Sequence, residues 1–489
     1  MNDNDLPRII QGGMGVAISG WQLARAVART DQLGVVSGTA LEIVCARRLQ
    51  EGDPGGHVRR ALAHFPLAGV AERILSTYYV AGGKPRQAAY RPVLRFTLQP
   101  ARALQELTVA ANFVEVFLAK EGHDGPVGIN YLRKIEMSIP FACYGAMLAG
   151  VNHVLMGAGN PADLPDLLDR LAHHEPASIP VRVQGATSAD GDFAVHFDPR
   201  ELAPGDRPVL HRPRLDAIVA SVDLATALAA NPATRPDGFV VEGYTAGGHN
   251  APPRGPRHVD QRGQPRYDER DAVDPRQMAG LGVPFWMAGG YGTPAGLSRA
   301  ISGGAAGIQV GTAFALCRES GMADVHKYRL LEQAARGQVS VRTDGRASPT
   351  GFPFKIAELE GTLSDEQVYA NRPRICDLGV LRSAYRRADA TIGYRCPSEP
   401  VAVYERHGGR PVNTVGRRCL CNALLATAGL VQQRPGGHAE PAIVTSGTDY
   451  TGVRDLIAHL PAGHRTYAAR DVVAYLLATP GSVAAPIDG

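Results

Sequence analysis

The strongest constraint on the fold of this chain is a rhythm. Over its first two thirds, eight short apolar runs of strand character alternate with helical stretches: Pro7–Gly13, Leu33–Gly38, Val127–Leu132, His153–Gly159, Ala217–Ser221, Gly238–Gly243, Pro284–Gly290 and Gly307–Thr312. Strands that alternate with helices must run parallel, because each crossover carries the chain back to the same end of the sheet. Eight such units predict a closed (β/α)8 TIM barrel, an α/β fold that takes ~250 residues. Most of the runs end in Gly, Asn or Ser, which suits loops that meet a ligand at the carboxyl ends of the strands. Helices are predicted at Trp21–Arg29, Ala101–Lys120, Pro161–His173 and Pro294–Ser302. Asn160-Pro161 and Thr293-Pro294 supply an N-cap followed by a first-turn proline.

The chain has 489 residues, more than one barrel needs. The pattern predicts a barrel over 1–335, interrupted at about 175–212 by a small β insertion and at about 250–276 by a long polar loop. A C-terminal accessory region, mostly helix and loop, is expected over 336–489. The 250–276 loop follows His249 directly, and its length and position predict a cover over an active site. Basic residues exceed acidic ones by 51 − 47 = 4, and neither sign forms blocks, so no nucleic-acid partner is expected. The acidic start Met1–Pro7 lacks the basic and apolar regions of a signal peptide, which predicts a cytoplasmic protein. The stretch Ile139–Gly159 is the nearest approach to a membrane span, but Asn152, His153 and its glycines fit helix-turn-strand better.

Four segments carry the candidate chemistry. The sixth run ends in Thr245-Ala246-Gly247-Gly248-His249, a glycine turn that presents one imidazole at the mouth of the barrel, where it could act as a base. The first run, Ile9-Ile10-Gln11-Gly12-Gly13-Met14-Gly15, opens into a glycine turn whose amides could face a planar ring. Phe285–Gly290 and Ala306–Thr312 form the seventh and eighth units, whose loops are the common phosphate site of such barrels, so Gly289, Gly290, Gly311 and Thr312 are expected there. No Gly-x-Gly-x-x-Gly stands between a strand and a helix, and no P-loop is present, which argues against a Rossmann dinucleotide domain. Tyr131, Arg133, Lys134 and Glu136 follow the third run and either reach the barrel mouth or cap the next helix. His57, His64, His173 and His174 read as solvated or core, and His153 lies at the stability face. Cys376, Cys396, Cys419 and Cys421 are too widely spaced for a usual zinc knuckle, and no metal is expected. Cys45, Cys143 and Cys317 read as core.

Taken in order, Ile-Gln-Gly-Gly-Met at the start, Val127-Gly128-Ile129-Asn130, Ala246–His249, Ala288-Gly289-Gly290 and Gln309–Thr312 resemble the nitronate monooxygenase (2-nitropropane dioxygenase) family. That family comprises FMN-dependent TIM barrels and includes flavin-containing enoyl-acyl-carrier-protein reductases. The resemblance covers residues 7 to about 320. It implies non-covalent FMN, with Asn130 and Glu242 near the flavin ring. Gly247, Gly290 and Gln309 to Thr312 would surround the ribityl phosphate, and His249 would be the catalytic histidine. Gly12, Gly13, Met14 and Gly289 complete the expected cofactor site. Position 242 holds Glu where nitronate monooxygenases typically carry Gln and the reductases carry Glu, and Thr245 replaces a usual acid.

The implied activity is oxidation of a nitronate, nitroalkane or other small carbon acid with O2. An imidazole of pKa near working pH would take the proton and the flavin the electrons. The alternative is an enoyl-thioester reductase drawing hydride from NAD(P)H, with an acyl-carrier protein as partner. A non-catalytic flavin-binding component of a biosynthetic complex is a third reading.

Overall fold

In a computed structural model, the chain is described over residues 6–479 apart from 203, 204, 206, 257 and 462. The barrel closes from eight parallel strands: β1 (Ile9–Gln11), β2 (Leu33–Ser37), β3 (Val127–Leu132), β4 (His153–Gly157), β5 (Arg214–Val219), β6 (Gly238–Glu242), β7 (Phe285–Ala288) and β8 (Gly307–Val310). Each pairs with its neighbours in sequence, and β1 pairs with both β2 and β8, with Ile10 opposite Leu33 and Ile9 opposite Ile308. All eight strands fall on the runs that the sequence marks out. β5 starts three residues earlier than its apolar pattern suggests, because Arg214 joins the ladder through its amide to the Asn152 carbonyl at 2.9 Å.

Ile10, Leu33, Val35, Leu155, Val240 and Trp286 fill the barrel interior and are fully buried. Alternate residues such as Ile9, Val36, Val154 and Phe239 point outward under the helices, which is why these runs read as continuously apolar. Gly34 permits the tightest of these contacts: a Cβ there would lie 1.9 Å from the Ala24 carbonyl of helix Trp21–Ala28. At the amino-terminal end, His153 Nδ1 meets Asp216 Oδ2 at 2.7 Å, both buried, and the Trp286 indole donates to the Pro7 carbonyl. His153 is therefore structural.

The insertion after β4 contains an antiparallel hairpin, Ala177–Pro180 with Ala194–Phe197, whose Phe197 ring packs on Phe141 and Tyr144. Beyond the barrel lie two further hairpins, Val341–Asp344 with Phe354–Ala357 and Ser383–Arg386 with Ile392–Arg395. Helices Leu420–Thr427, Thr451–Ala458 and Ala469–Leu477 follow. The first of these hairpins sits on the barrel mouth. Lys355 donates its amide to the Gly248 carbonyl, Asn250 donates to Pro353, and His249 bridges Phe354.

The 250–276 loop is not the cover that its position predicts. It turns sideways: Arg254 reaches the Ala220 carbonyl and Tyr267 stacks on Tyr244, while Arg262 pairs with Glu358 and Gln264 accepts from the Thr343 amide. Its arginines and aspartates largely satisfy one another, as in Arg270 with Asp268 and Arg276 with Asp274. The mouth is covered instead by chain from the region beyond 335. No helix among the described residues is long and apolar enough to cross a membrane.

Candidate active site

A cavity of about 480 Å³ opens at the carboxyl ends of the strands, within the size range of small-molecule and cofactor sites. All twelve residues singled out from the sequence line it. Gly12, Gly13 and Met14 come from the turn after β1, Asn130 from β3, and Glu242 from the end of β6. Gly247 and His249 follow on the glycine turn, Gly289 and Gly290 come after β7, and Gln309, Gly311 and Thr312 from β8 and its loop. They are far apart in sequence and meet because every strand of a parallel barrel delivers its carboxyl end to one face.

The glycines here are needed for close approach. A Cβ on Gly13 would lie 2.3 Å from the Asn130 Cβ. Gly289 has φ of 82°, and a Cβ there would fall 2.9 Å from the Gly243 carbonyl and 3.0 Å from the Thr245 hydroxyl. The Gly289 amide faces the Gln309 carbonyl in the ladder, whereas the Gly290 amide has no hydrogen-bond acceptor among the described residues, so a donor stands free beside the Pro294–Ser302 helix. The Gln309 side-chain oxygen is buried and also lacks a partner. A free amide near a helix start suits an anion, and an orphaned buried amide group suits a polar ring edge. These groups give the cavity the donor and acceptor chemistry that a flavin phosphate and ring would need.

His249 lies between the barrel and the C-terminal hairpin. Its Nε2 meets the Ser348 hydroxyl at 2.6 Å, and Ser348 in turn meets the Thr350 hydroxyl at 2.8 Å. The Phe354 ring stands edge-on to the imidazole at 4.9 Å. Burial and then the nearby Lys134 ammonium push its pKa down to about 3, so the imidazole is neutral at any ordinary pH. The expectation of a base with pKa near working pH is thus corrected: desolvation disfavours the imidazolium, and a neighbouring cation adds to the effect. Glu242 moves the other way, its carboxyl raised to about 7 by burial.

Of the polar cluster after β3, only Lys134 turns into the cavity. Tyr131 is buried and donates its hydroxyl to Asn112 and the Ala142 carbonyl, Arg133 is held by Asp163 and Glu136, and Glu136 accepts from the Arg182 amide.

The residues beyond 335 contribute a wall that strand-by-strand reading could not supply. Phe352, Leu420, Cys421, Leu424 and Ser446 border the cavity, and the Gly447 amide donates to the Thr312 hydroxyl at 3.1 Å. Ser348 carried no local signal in the sequence, since its partner His249 is 99 residues away. The thiols of Cys376 and Cys396 are neighbours, as are those of Cys419 and Cys421, with Arg374 and Arg382 nearby. Among the described residues no group of three or more His, Cys, Asp or Glu is arranged to hold a metal ion. Cys45, Cys143 and Cys317 are buried.

Against known proteins, residues 207–351 match the family model for nitronate monooxygenase, a segment that runs from before β5 to just past Ser348. Over that segment the barrel is similar to the nitronate monooxygenase family. A probable nitronate monooxygenase of Bacillus subtilis is 35% identical over 99 residues, 20% of this chain and 26% of that protein. A Mycobacterium tuberculosis protein is 32% identical over 125 residues, 25% of this chain and 30% of its own length. It is named (3aS,4S,5R,7aS)-5-hydroxy-7a-methyl-1-oxo-octahydro-1H-indene-4-carboxyl-CoA dehydrogenase. The chain therefore matches less than a third of the length of either relative. Among solved structures, FabK from Thermotoga maritima aligns over 96% of this chain and 91% of its own, with TM-score 0.48 and 15% identity. A nitroalkane oxidase from Streptomyces ansochromogenes aligns over 96% and 94%, with TM-score 0.43 and 14% identity.

Proposed function

We propose that this barrel is an FMN-dependent oxidoreductase of the nitronate monooxygenase family that oxidises nitronates or similarly ionised carbon acids with O2. One observation carries the reading: twelve residues from the carboxyl ends of five strands converge on a single cavity that offers a free glycine amide at one end and a neutral imidazole at the other. The Gly289, Gly290, Gly311 and Thr312 turns would hold the phosphate, with Gly247 beside them. Asn130 and Gln309 would meet the ring, with Gly12, Gly13, Met14 and Glu242 around it. Bound FMN would accept an electron pair from the substrate carbon, which no side chain here can do.

The protein's own part is binding, orientation and exclusion of water. Phe352, Phe354 and Leu424 make one side of the cavity apolar, which strengthens every electrostatic contact inside it. His249 is a weak proton acceptor and a good hydrogen-bond partner. It suits a substrate that arrives without its acidic proton, which favours nitronates over neutral nitroalkanes.

Glu242 supports a second reading, an enoyl-thioester reductase fed by NAD(P)H. A carboxyl with pKa about 7 can hold a proton at the ring side of the cavity, and the M. tuberculosis relative is named for a CoA thioester. Anaerobic titration of the purified protein separates the two. Bleaching of a yellow chromophore by propane-2-nitronate supports the oxidase, and bleaching by NADPH alone transfers the assignment to the reductase. A colourless protein that cannot be reconstituted with FMN refutes both.

A further inference from the structure

Lys134 stands out among the cavity residues because no hydrogen bond or ion pair among the described residues accounts for its charge. It sits in the turn after β3, between Arg133, which is committed to two carboxylates, and the half-buried wall residue Ile135. Its ammonium has essentially no solvent contact, yet no hydrogen-bond acceptor or carboxylate meets it among the described residues. It lies over the face of Phe352, 2.7 Å from the ring centroid. A lysine that merely fills space keeps its charge in water or pairs it, since an isolated buried ammonium is costly. Burial lowers its pKa to about 7, and its charge in turn lowers that of His249. Lys134 and His249 thus border the same cavity from the turns after β3 and β6, with Phe352 of the C-terminal segment beside them.

We propose that Lys134 is the oxyanion-binding residue of this site, donating its ammonium to the negatively charged oxygen that is conjugated to the reacting carbon of the substrate. A nitronate brings that oxygen already charged, and a thioester develops it as its carbonyl becomes an enolate. In both cases the lysine gains the missing partner, and Phe352 leaves it no competing water. The assignment deepens the proposed function and explains how an apolar cavity with a neutral histidine would select anions.

The test is binding, not turnover. Isobutyrate has the shape and charge of propane-2-nitronate but no electrons to give, and isobutyramide is its neutral counterpart. Calorimetric titration of FMN-loaded wild type should show isobutyrate bound ~10–100-fold more tightly than isobutyramide, the range of one charge-assisted hydrogen bond. Lys134→Met should lose that preference while keeping its isobutyramide affinity. Lys134→Arg should keep most of it, which guards against misfolding of the first variant. Wild type that does not prefer the carboxylate, or a Lys134→Met protein that still does, overturns the assignment. Anaerobic bleaching by nitronate or NADPH reports on the functional reading separately, because the isobutyrate preference requires neither reaction.

Discussion

Replacing His249 with Asn tests the chemistry most directly. The drop in imidazole pKa from 6.5 to about 3 spans 3.5 pH units. At ~1.4 kcal/mol per unit, up to about 5 kcal/mol of proton-accepting power is missing from the ligand-free site. If about half of that appears in the rate of proton abstraction, wild type should use neutral 2-nitropropane ~10–10³-fold less efficiently than its nitronate. With the nitroalkane, whose proton the histidine would take, His249→Asn should lower kcat/KM by ~10²–10⁴-fold. With the preformed nitronate the loss should stay within ~10-fold, since only a hydrogen bond changes. Stopped-flow flavin reduction under anaerobic conditions, with both substrates and both proteins, reads the four rates. The kcat/KM profile of wild type should show no ionisation near pH 6.5 that disappears in the variant. Such an ionisation, or equal losses on the two substrates, would refute the neutral-imidazole argument.

Other outcomes follow from the same geometry. Gly289→Ala places a methyl 2.9 Å from the Gly243 carbonyl at φ of 82°, which should cost ~1–3 kcal/mol and release flavin, measured as bound FMN per protein after dialysis. Unchanged occupancy would move the phosphate elsewhere. Glu242 binds its proton more tightly folded than unfolded, so its contribution to stability is complete below pH 4.5 and lost as pH rises through about 7. Glu242→Gln should therefore gain stability over wild type between pH 5 and pH 8 in parallel denaturant titrations, and an equal difference at both pH values would contradict the assigned shift. Shortening the 250–276 loop while keeping Asn250 and Ala251 should leave flavin and KM unchanged, because among its described residues only those two border the main cavity. A large rise in KM would restore the loop as a cover.

What the sequence determined by itself is the barrel and the floor of the site. Strand identity is local: apolar runs such as Phe285–Ala288, buried on both faces, can be nothing but interior parallel strands once helices separate them. Glycine turns at strand ends are equally local, because close approach and positive φ leave few alternatives at Gly13 or Gly289. A closed barrel then gathers those strand ends at one face without further information, which is why Gly12, Asn130, His249 and Thr312 meet. Tertiary structure alone decided the roof and the electrostatics. Nothing near residues 348–354 marks them as the lid, since their partners at 248–250 are about a hundred positions away and hydrogen-bond pairing leaves no trace in either segment. The same holds for charge. Arg133 and Lys134 are adjacent and chemically alike, yet Asp163 and Glu136 neutralise one and burial strands the other. The pKa of His249 likewise depends on how much water Phe354 and Lys134 exclude or oppose, a property of the packed volume and not of any segment within it.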